Sequence, residues 1–275
     1  MKTKEIKTDI VTLTPQLAHE LLSANNNNRK LRTREVERYA RDILAGNWKF
    51  TGEAIKVDWN GNLIDGQHRS NAVIMANKPI QVLLITGLNP ETQSVIDVAV
   101  KRTAIDALRW AGFSGDLTIL SKIARVDTLW RSGFRFTSST THGSYPALSH
   151  SEIVDWVSNN PEAFVSARFG QSHYASIGFT PSIMAFAHML MREVDEIACD
   201  VFWQELIEMR TSGLGDPRLT MTRIIQARRA EGVKLSDGVQ LYYMMRAWNA
   251  WRGGLSLTKM PVVSNSKPIE IPQPE

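Results

Sequence analysis

The sequence predicts an α/β (α+β) amino-terminal domain over residues 1–108, a mostly α-helical domain over residues 109–258, and a disordered tail over residues 259–275. Three observations lead there. Up to Thr103, short β-type runs alternate with amphipathic helical stretches. From Ala104 onward nearly every apolar run repeats with the 3.6-residue period of a helix. After Lys259 the prolines Pro261, Pro268, Pro272 and Pro274 stand among few large apolar residues, a composition that does not build a core.

Taken in order, Ile6–Leu13 reads as a strand, and Thr14-Pro15 opens a helix over Gln16–Ser23 with Thr14 as N-cap and Pro15 at the first helical position. Asn25–Asn28 is a loop, since asparagine favours turns. Thr33 is placed to cap a helix over Arg34–Leu44, whose Val36, Tyr39, Ala40 and Ile43 fall on one face. Ala54–Asp58 and Leu63–Ile64 form a hairpin around Asn60-Gly61. A helix over Arg69–Ala76 follows, then Ile80–Thr86, apolar enough to be a buried strand, and a helical start at Pro90–Val95. The second half reads as helices over Ala104–Trp110, Leu117–Trp130, Ser151–Val157, Pro161–Arg168, Pro181–Met191, Asp200–Met209, Arg218–Ala230 and Ser236–Trp251, with a surface loop over Phe134–Leu148.

Composition narrows the class. The chain has 275 residues, 43% hydrophobic and 22% charged, with net charge +4, so it has the material for a core and a mild basic excess that suits phosphorylated ligands or nucleic acid. A single cysteine, Cys199, excludes intramolecular disulfides and paired-cysteine zinc sites; its half-apolar helical setting predicts a packed, inert thiol. Neither a signal peptide nor a membrane-length apolar run is evident, so the expectation is a cytoplasmic protein with no membrane partner.

The chemistry concentrates at Asp65-Gly66-Gln67-His68-Arg69. A strand ends, a glycine permits a tight turn, and a helix begins at once. Its first-turn N–H groups and positive dipole end then favour an anion. Arg69 can grip two phosphate oxygens, and Asp65 can cap the helix or orient a metal or hydroxyl. On spacing alone the segment is equally a phosphate cradle or a plain turn with His68 and Arg69 on the surface.

This motif, followed by an alanine-bearing helix, resembles that of the ParB/sulfiredoxin superfamily, in which a Gly-x-x-Arg turn holds nucleotide phosphates. Asn28-Arg29-Lys30-Leu31-Arg32 is similar to the Asn-x-x-x-Arg box of ParB proteins, and Asp97 with Lys101-Arg102-Thr103 resembles phage-encoded ParB-like proteins. The resemblance spans roughly residues 8–108. It implies phosphate or nucleotide binding by Gly66, His68 and Arg69, with Arg32 as a second clamp; Thr51, Gly52 and Gln67 are further candidates beside them, and Arg102 is equally a ligand contact or part of a solvated helix start. Glu53, after Thr51-Gly52, is the best-placed carboxylate for a general base or Mg²⁺ ligand, and is equally a surface glutamate at a strand edge; Asp65 and His68 are the further catalytic candidates, Asp65 also a Mg²⁺ ligand, with an NTP such as ATP or CTP as substrate. Two departures narrow it. Gln67 stands where sulfiredoxin has its reactive cysteine, which excludes peroxiredoxin repair. The Gly-Glu-Arg-Arg of chromosome-partitioning ParB proteins is also missing, which argues against a CTP-gated DNA clamp.

In the helical half, arginines interleave with aromatic residues, and Arg131, Arg228 and Arg229 are candidates for contacting nucleic acid. Leu241, Met244, Met245, Trp248 and Trp251 instead read as a buried stripe, and His188 as a satisfied core histidine. The leading expectation is a phage-type ParB-like protein that binds nucleotide phosphates and acts on or with DNA, by NTP hydrolysis or phosphoryl transfer, in the host cytoplasm if phage-encoded. Alternatives are a ParB-like nuclease cleaving DNA phosphodiesters and a non-enzymatic DNA-binding module. A homodimer is left open.

Overall fold

The computed structural model describes residues 5–24, 31–95, 103–137, 148–263 and 268–275. Two compact units emerge, one of Met1–Thr103 with Tyr145–Ser151, the other of Ala104–Ser144 with Glu152–Glu275.

The first unit runs β1 (Lys7–Leu13), α1 (Pro15–Ser23), α2 (Thr33–Leu44), β2 (Ala54–Asp58), β3 (Leu63–Asp65), α3 (Gln67–Ala76) and β4 (Ile80–Leu88), followed by a 3₁₀ turn over Pro90–Val95. Its mixed sheet has the order β1-β4-β2-β3; β1 and β3 are antiparallel to their neighbours, and β2 is parallel to β4. The parallel pairing requires a crossover, and α3 within the β2–β4 connection supplies it. Leu13, Ile55, Val57, Ile80 and Val82 from the sheet pack with Ala18, Val36, Ala40, Ile43, Ala72 and Val73 from α1, α2 and α3.

Local chemistry explains most boundaries. The Thr14 hydroxyl caps α1 by accepting from Leu17 N–H (3.2 Å). At the β2–β3 hairpin, the buried Asp58 carboxylate accepts from Asn60 N–H, Asn62 N–H and Asn62 Nδ2, all within 2.9 Å. Burial alone would raise the Asp58 pKa, but these hydrogen bonds outweigh it and hold the carboxyl below its ordinary value. Two expectations are corrected. Thr33 lies inside α2 rather than capping it; the N-cap is Arg32, with no side-chain cap. β4 is not buried throughout: Ile80 and Val82 are buried, Gln81 is exposed, and the rest is half-buried, because α1–α3 cover one face of the sheet only.

The second unit is helical: α4 (Ala104–Trp110), α5 (Leu117–Arg131), α6 (His150–Asn159, of which the first two residues belong to the first unit), α7 (Ala163–Ile177), α8 (Pro181–Val194), α9 (Glu196–Ile207), α10 (Pro217–Ala230) and α11 (Asp237–Arg252). At its centre lies α8, buried on all sides from Ser182 to Met191. Leu241, Met244, Met245 and Trp248 form the expected core stripe of α11, whereas Trp251, also expected in it, is half-buried. His188 is buried, hydrogen-bonded to Ser166 (2.9 Å) and stacked on Phe169. Cys199 is likewise buried, its thiol directed at the His188 carbonyl and pushed up to about 12 by burial, which makes it unreactive.

The described part of the tail makes specific contacts with the helical unit. Met260, Val263 and Ile271 are buried, and Glu270 bridges Phe136 as a short antiparallel pair. Thr137 N–H donates to the Ile269 carbonyl (2.9 Å), and Trp248 Nε1 donates to that of Glu275 (3.0 Å). A few well-spaced apolar anchors and backbone bonds hold a segment that composition marks as unstructured. The predicted Asn25–Asn28 loop and most of the Phe134–Leu148 loop lie outside the described residues.

No helix among the described residues is long and apolar enough to cross a membrane.

Candidate functional site

The motif from Asp65 to Arg69 is built by a strand that turns directly into a helix. Gly66 adopts φ +108°, a left-handed conformation that L side chains resist, and serves as N-cap of α3. The turn is therefore tighter than predicted. α3 begins at Gln67, two residues early, and Gln67 and His68 belong to its first turn. A Cβ on Gly66 would lie 2.9 Å from Ile55 Cγ1, so the turn is pressed against β2.

The starts of α2 and α3 meet here. Arg32 N–H, at the start of α2, donates to His68 Nε2 on α3 (3.1 Å). That acceptor role assigns the neutral tautomer with the proton on Nδ1. Neither Arg32 nor Gly66 supplies a side-chain cap, so the first turns of both helices rely on other acceptors for their N–H groups. Arg32 and Arg34 are exposed beside this junction, and the nearby Glu35 carboxylate is engaged by Arg38 (2.5 Å). Two positive helix ends, two arginines and an imidazole thus share one small region, a field that attracts an anion.

Arg69 is placed otherwise than as a free clamp. Its Nη1 donates to the Glu53 carbonyl (2.7 Å), and its Nη2 to the Ala54 carbonyl (2.6 Å) and to Asp65 Oδ2 (3.4 Å). Lys56 Nζ approaches the same Asp65 oxygen at 3.5 Å. The guanidinium therefore laces the start of β2 to the first turn of α3, and its side chain is 13% exposed. Sequence reasoning missed Lys56 as Asp65's partner, although a hairpin places residues of β2 opposite β3 and the register pairs these two.

The other predicted residues fall nearby with different surroundings. Gln67 is buried, its carbonyl accepting from Asn71 Nδ2 (2.7 Å). Thr51, Gly52 and Glu53 form an exposed approach to β2, where Thr51 Oγ1 accepts from Glu53 N–H (3.4 Å) and Gly52 has φ +77°. Arg102 lies outside the described residues, as do Arg29, Asp97 and Lys101. The Ser70 hydroxyl, which the motif reading did not single out, is wholly buried on α3 without a hydrogen-bond partner.

Asp65 is shared between two cations, Glu53 is an isolated exposed carboxylate, and among the described residues no group of three or more His, Cys, Asp or Glu side chains comes together.

In the helical unit, Arg131 is held by Asp127 (3.0 Å) and by both Glu193 oxygens (2.5 and 2.7 Å). Arg228 pairs with Glu231 (2.7 Å), and Arg229 is exposed with its guanidinium against Gly178. Arg131 and Arg228 thus carry much of their charge into internal pairs, whereas Arg229 presents more of its own to solvent.

Comparison with models of known protein families, with curated proteins and with solved structures finds no match to this chain.

Proposed function

We propose that this protein is a phage-type, ParB-like protein that binds nucleotide phosphates where α2 and α3 begin, and that it acts on or with DNA by NTP hydrolysis or phosphoryl transfer. The observation that carries the reading is the hydrogen bond from Arg32 N–H to His68 Nε2, which draws two helix N-termini without side-chain caps to one place. In this reading the positive dipole ends of both helices and the Arg32 side chain attract the phosphate oxygens. Arg69 acts through position, holding α3 against β2 rather than touching the ligand. Phosphoryl chemistry needs positioning and charge neutralisation more than a covalent nucleophile, and such a site supplies both. His68, neutral at Nε2, is the candidate proton-handling group.

A second reading, a non-enzymatic module that holds nucleic-acid backbone phosphate, draws support from the commitment of Asp65 to Lys56 and Arg69. That commitment leaves Glu53 as the predicted carboxylate still exposed.

The test is a thermal-shift series with ATP, CTP, GTP and UTP, with and without Mg²⁺, on the native chain and on Arg32→Ala. The Arg32 side chain is exposed and only its backbone is used in the bond to His68, so this variant keeps the fold. A shift with at least one nucleotide that disappears in Arg32→Ala supports the proposal. No shift with any nucleotide, together with DNA binding that falls steeply with salt, selects the module instead.

A further inference from the structure

The two edges of the four-stranded sheet are unlike. β3 is three residues long, Leu63 and Ile64 on it are buried, and Leu63 N–H already donates to the Ala24 carbonyl (3.1 Å). β1 is seven residues long, pairs through its whole length with β4 on one side, and is exposed from Lys7 to Ile10 on the other. Two large apolar side chains sit at its exposed end, Ile6 at 59% and Ile10 at 63% exposure. An edge of this length with unpaired backbone groups is a template for another strand.

We infer that β1 pairs antiparallel with β1 of a second copy of this chain, centred on Thr8, to make a continuous eight-stranded sheet. A two-fold antiparallel pairing of a strand with its own copy must place one residue opposite itself, so the candidate registers can be compared one by one. Centring on Lys7 faces lysine with lysine and Glu5 with Asp9; centring on Asp9 faces two aspartates. Like charges directly opposite destabilise a sheet. Centring on Ile10 sets Lys7 opposite Leu13 and Asp9 opposite Val11, so no charge meets its counterpart. Centring on Thr8 sets Lys7 opposite Asp9 and Ile6 opposite Ile10, each pair occurring twice by symmetry, with Thr8 opposite Thr8.

The two kinds of pair fall on opposite faces, since side chains alternate along a strand. Lys7 and Asp9 lie on the same side as Val11 and Leu13, which face the helices. Ile6 and Ile10 lie on the uncovered side, where Ile10 stands opposite Leu83 in the β4 register. Pairing thus joins two charge pairs at the helix side and covers four exposed isoleucines at the open side. The interface is isologous and closes as a dimer without a further free β1 edge.

Sedimentation velocity on the full chain tests this at concentrations up to about 100 µM, alongside Lys7→Asp, Asp9→Lys and an equimolar mixture of the two variants. The native chain is expected as a dimer. Each single reversal places like charges in both pairs and should weaken association about tenfold or more. Mixing restores it, because Asp at position 7 then meets Lys at position 9 of the other chain. Ile10→Lys provides a break that does not depend on the charges. A monomeric native chain, dimers that survive both reversals, or a mixture that stays monomeric would each overturn the pairing.

Discussion

Gly66 lies so close to Ile55 that a Cβ on it would sit 2.9 Å from Ile55 Cγ1 and 3.1 Å from Cγ2. Its φ of +108° adds a conformational demand to the steric one. Gly66→Ala is therefore expected to destabilise the first unit by about 2–5 kcal/mol, combining left-handed strain of about 1–2 kcal/mol with overpacking of about 1–3 kcal/mol. Urea denaturation followed by circular dichroism measures the loss. Ile55→Ala should lower the additional cost of Gly66→Ala, and strictly additive losses would show that the contact does not matter.

Arg69 presents a separate case, because the phosphate clamp suggested by the motif is used inside the fold. Arg69→Ala removes bonds to the Glu53 and Ala54 carbonyls and to Asp65. A loss of about 2–3 kcal/mol is expected without any ligand present, since bonds to a charged group contribute about 1.5–3 kcal/mol each before relaxation. Arg69→Lys should recover part of it, because an ammonium reaches one carbonyl but lacks the planar fork that spans two. An unchanged melting temperature in Arg69→Ala would show that the guanidinium is free for ligand after all.

These two residues mark how far the sequence could be read. Asp65-Gly66 before an alanine-bearing helix was legible as a strand–turn–helix, because glycine and helical period are local signals. The helices of the second unit were legible for the same reason, α4 to the residue, although α7 continues to Ile177 rather than ending at Arg168 and α9 begins at Glu196 rather than Asp200. Local pattern could not show where the Arg69 guanidinium goes, since its acceptors lie 15 and 16 residues earlier on another element. Nor could it show that α2 and α3 begin side by side, which depends on a bond between residues 36 apart. The contacts of the tail were illegible for a related reason: Ile269 and Glu270 meet Thr137 and Phe136 across more than 130 positions of sequence. Pattern speaks for neighbours along the chain, and these relationships are between strangers.

Gly170 shows the same close approach between helices. A Cβ there would lie 2.7 Å from Ala185 Cβ and 2.9 Å from Ala185 N, and would also overlap the Pro181 carbonyl oxygen. α7 and α8 are thus packed backbone to backbone at this level. Glycine inside a helix ordinarily gains about 1 kcal/mol on replacement by alanine. Here Gly170→Ala is expected to lose about 1–3 kcal/mol instead, because α8 is buried on all sides and has nowhere to move. Thermal unfolding decides the sign, and a raised melting temperature would refute the close packing.

His188 makes the second unit acid-sensitive. Burial, assisted by the positive charge of Arg192 and by His173, pushes its pKa down to about 3 from an ordinary 6.5. The folded state therefore holds a neutral ring between those values, while the unfolded chain takes up a proton. Stability is greatest above about pH 6.5, declines as the pH falls towards 3, and has no further contribution from this group below that. The slope is at most about 1.4 kcal/mol per pH unit, so moving from pH 6.5 to pH 5 should cost up to about 2 kcal/mol. Carboxylates titrate in part of the same range, so the measurement is a difference. His188→Asn keeps a polar atom near Ser166 Oγ, now 2.9 Å from the ring, but removes the titration. Urea unfolding at pH 7 and pH 5 should show the native chain losing more stability than His188→Asn, although the variant starts lower through the lost stacking on Phe169. Equal losses in the two proteins would mean that the buried ring already reaches solvent protons, contrary to its 2% exposure.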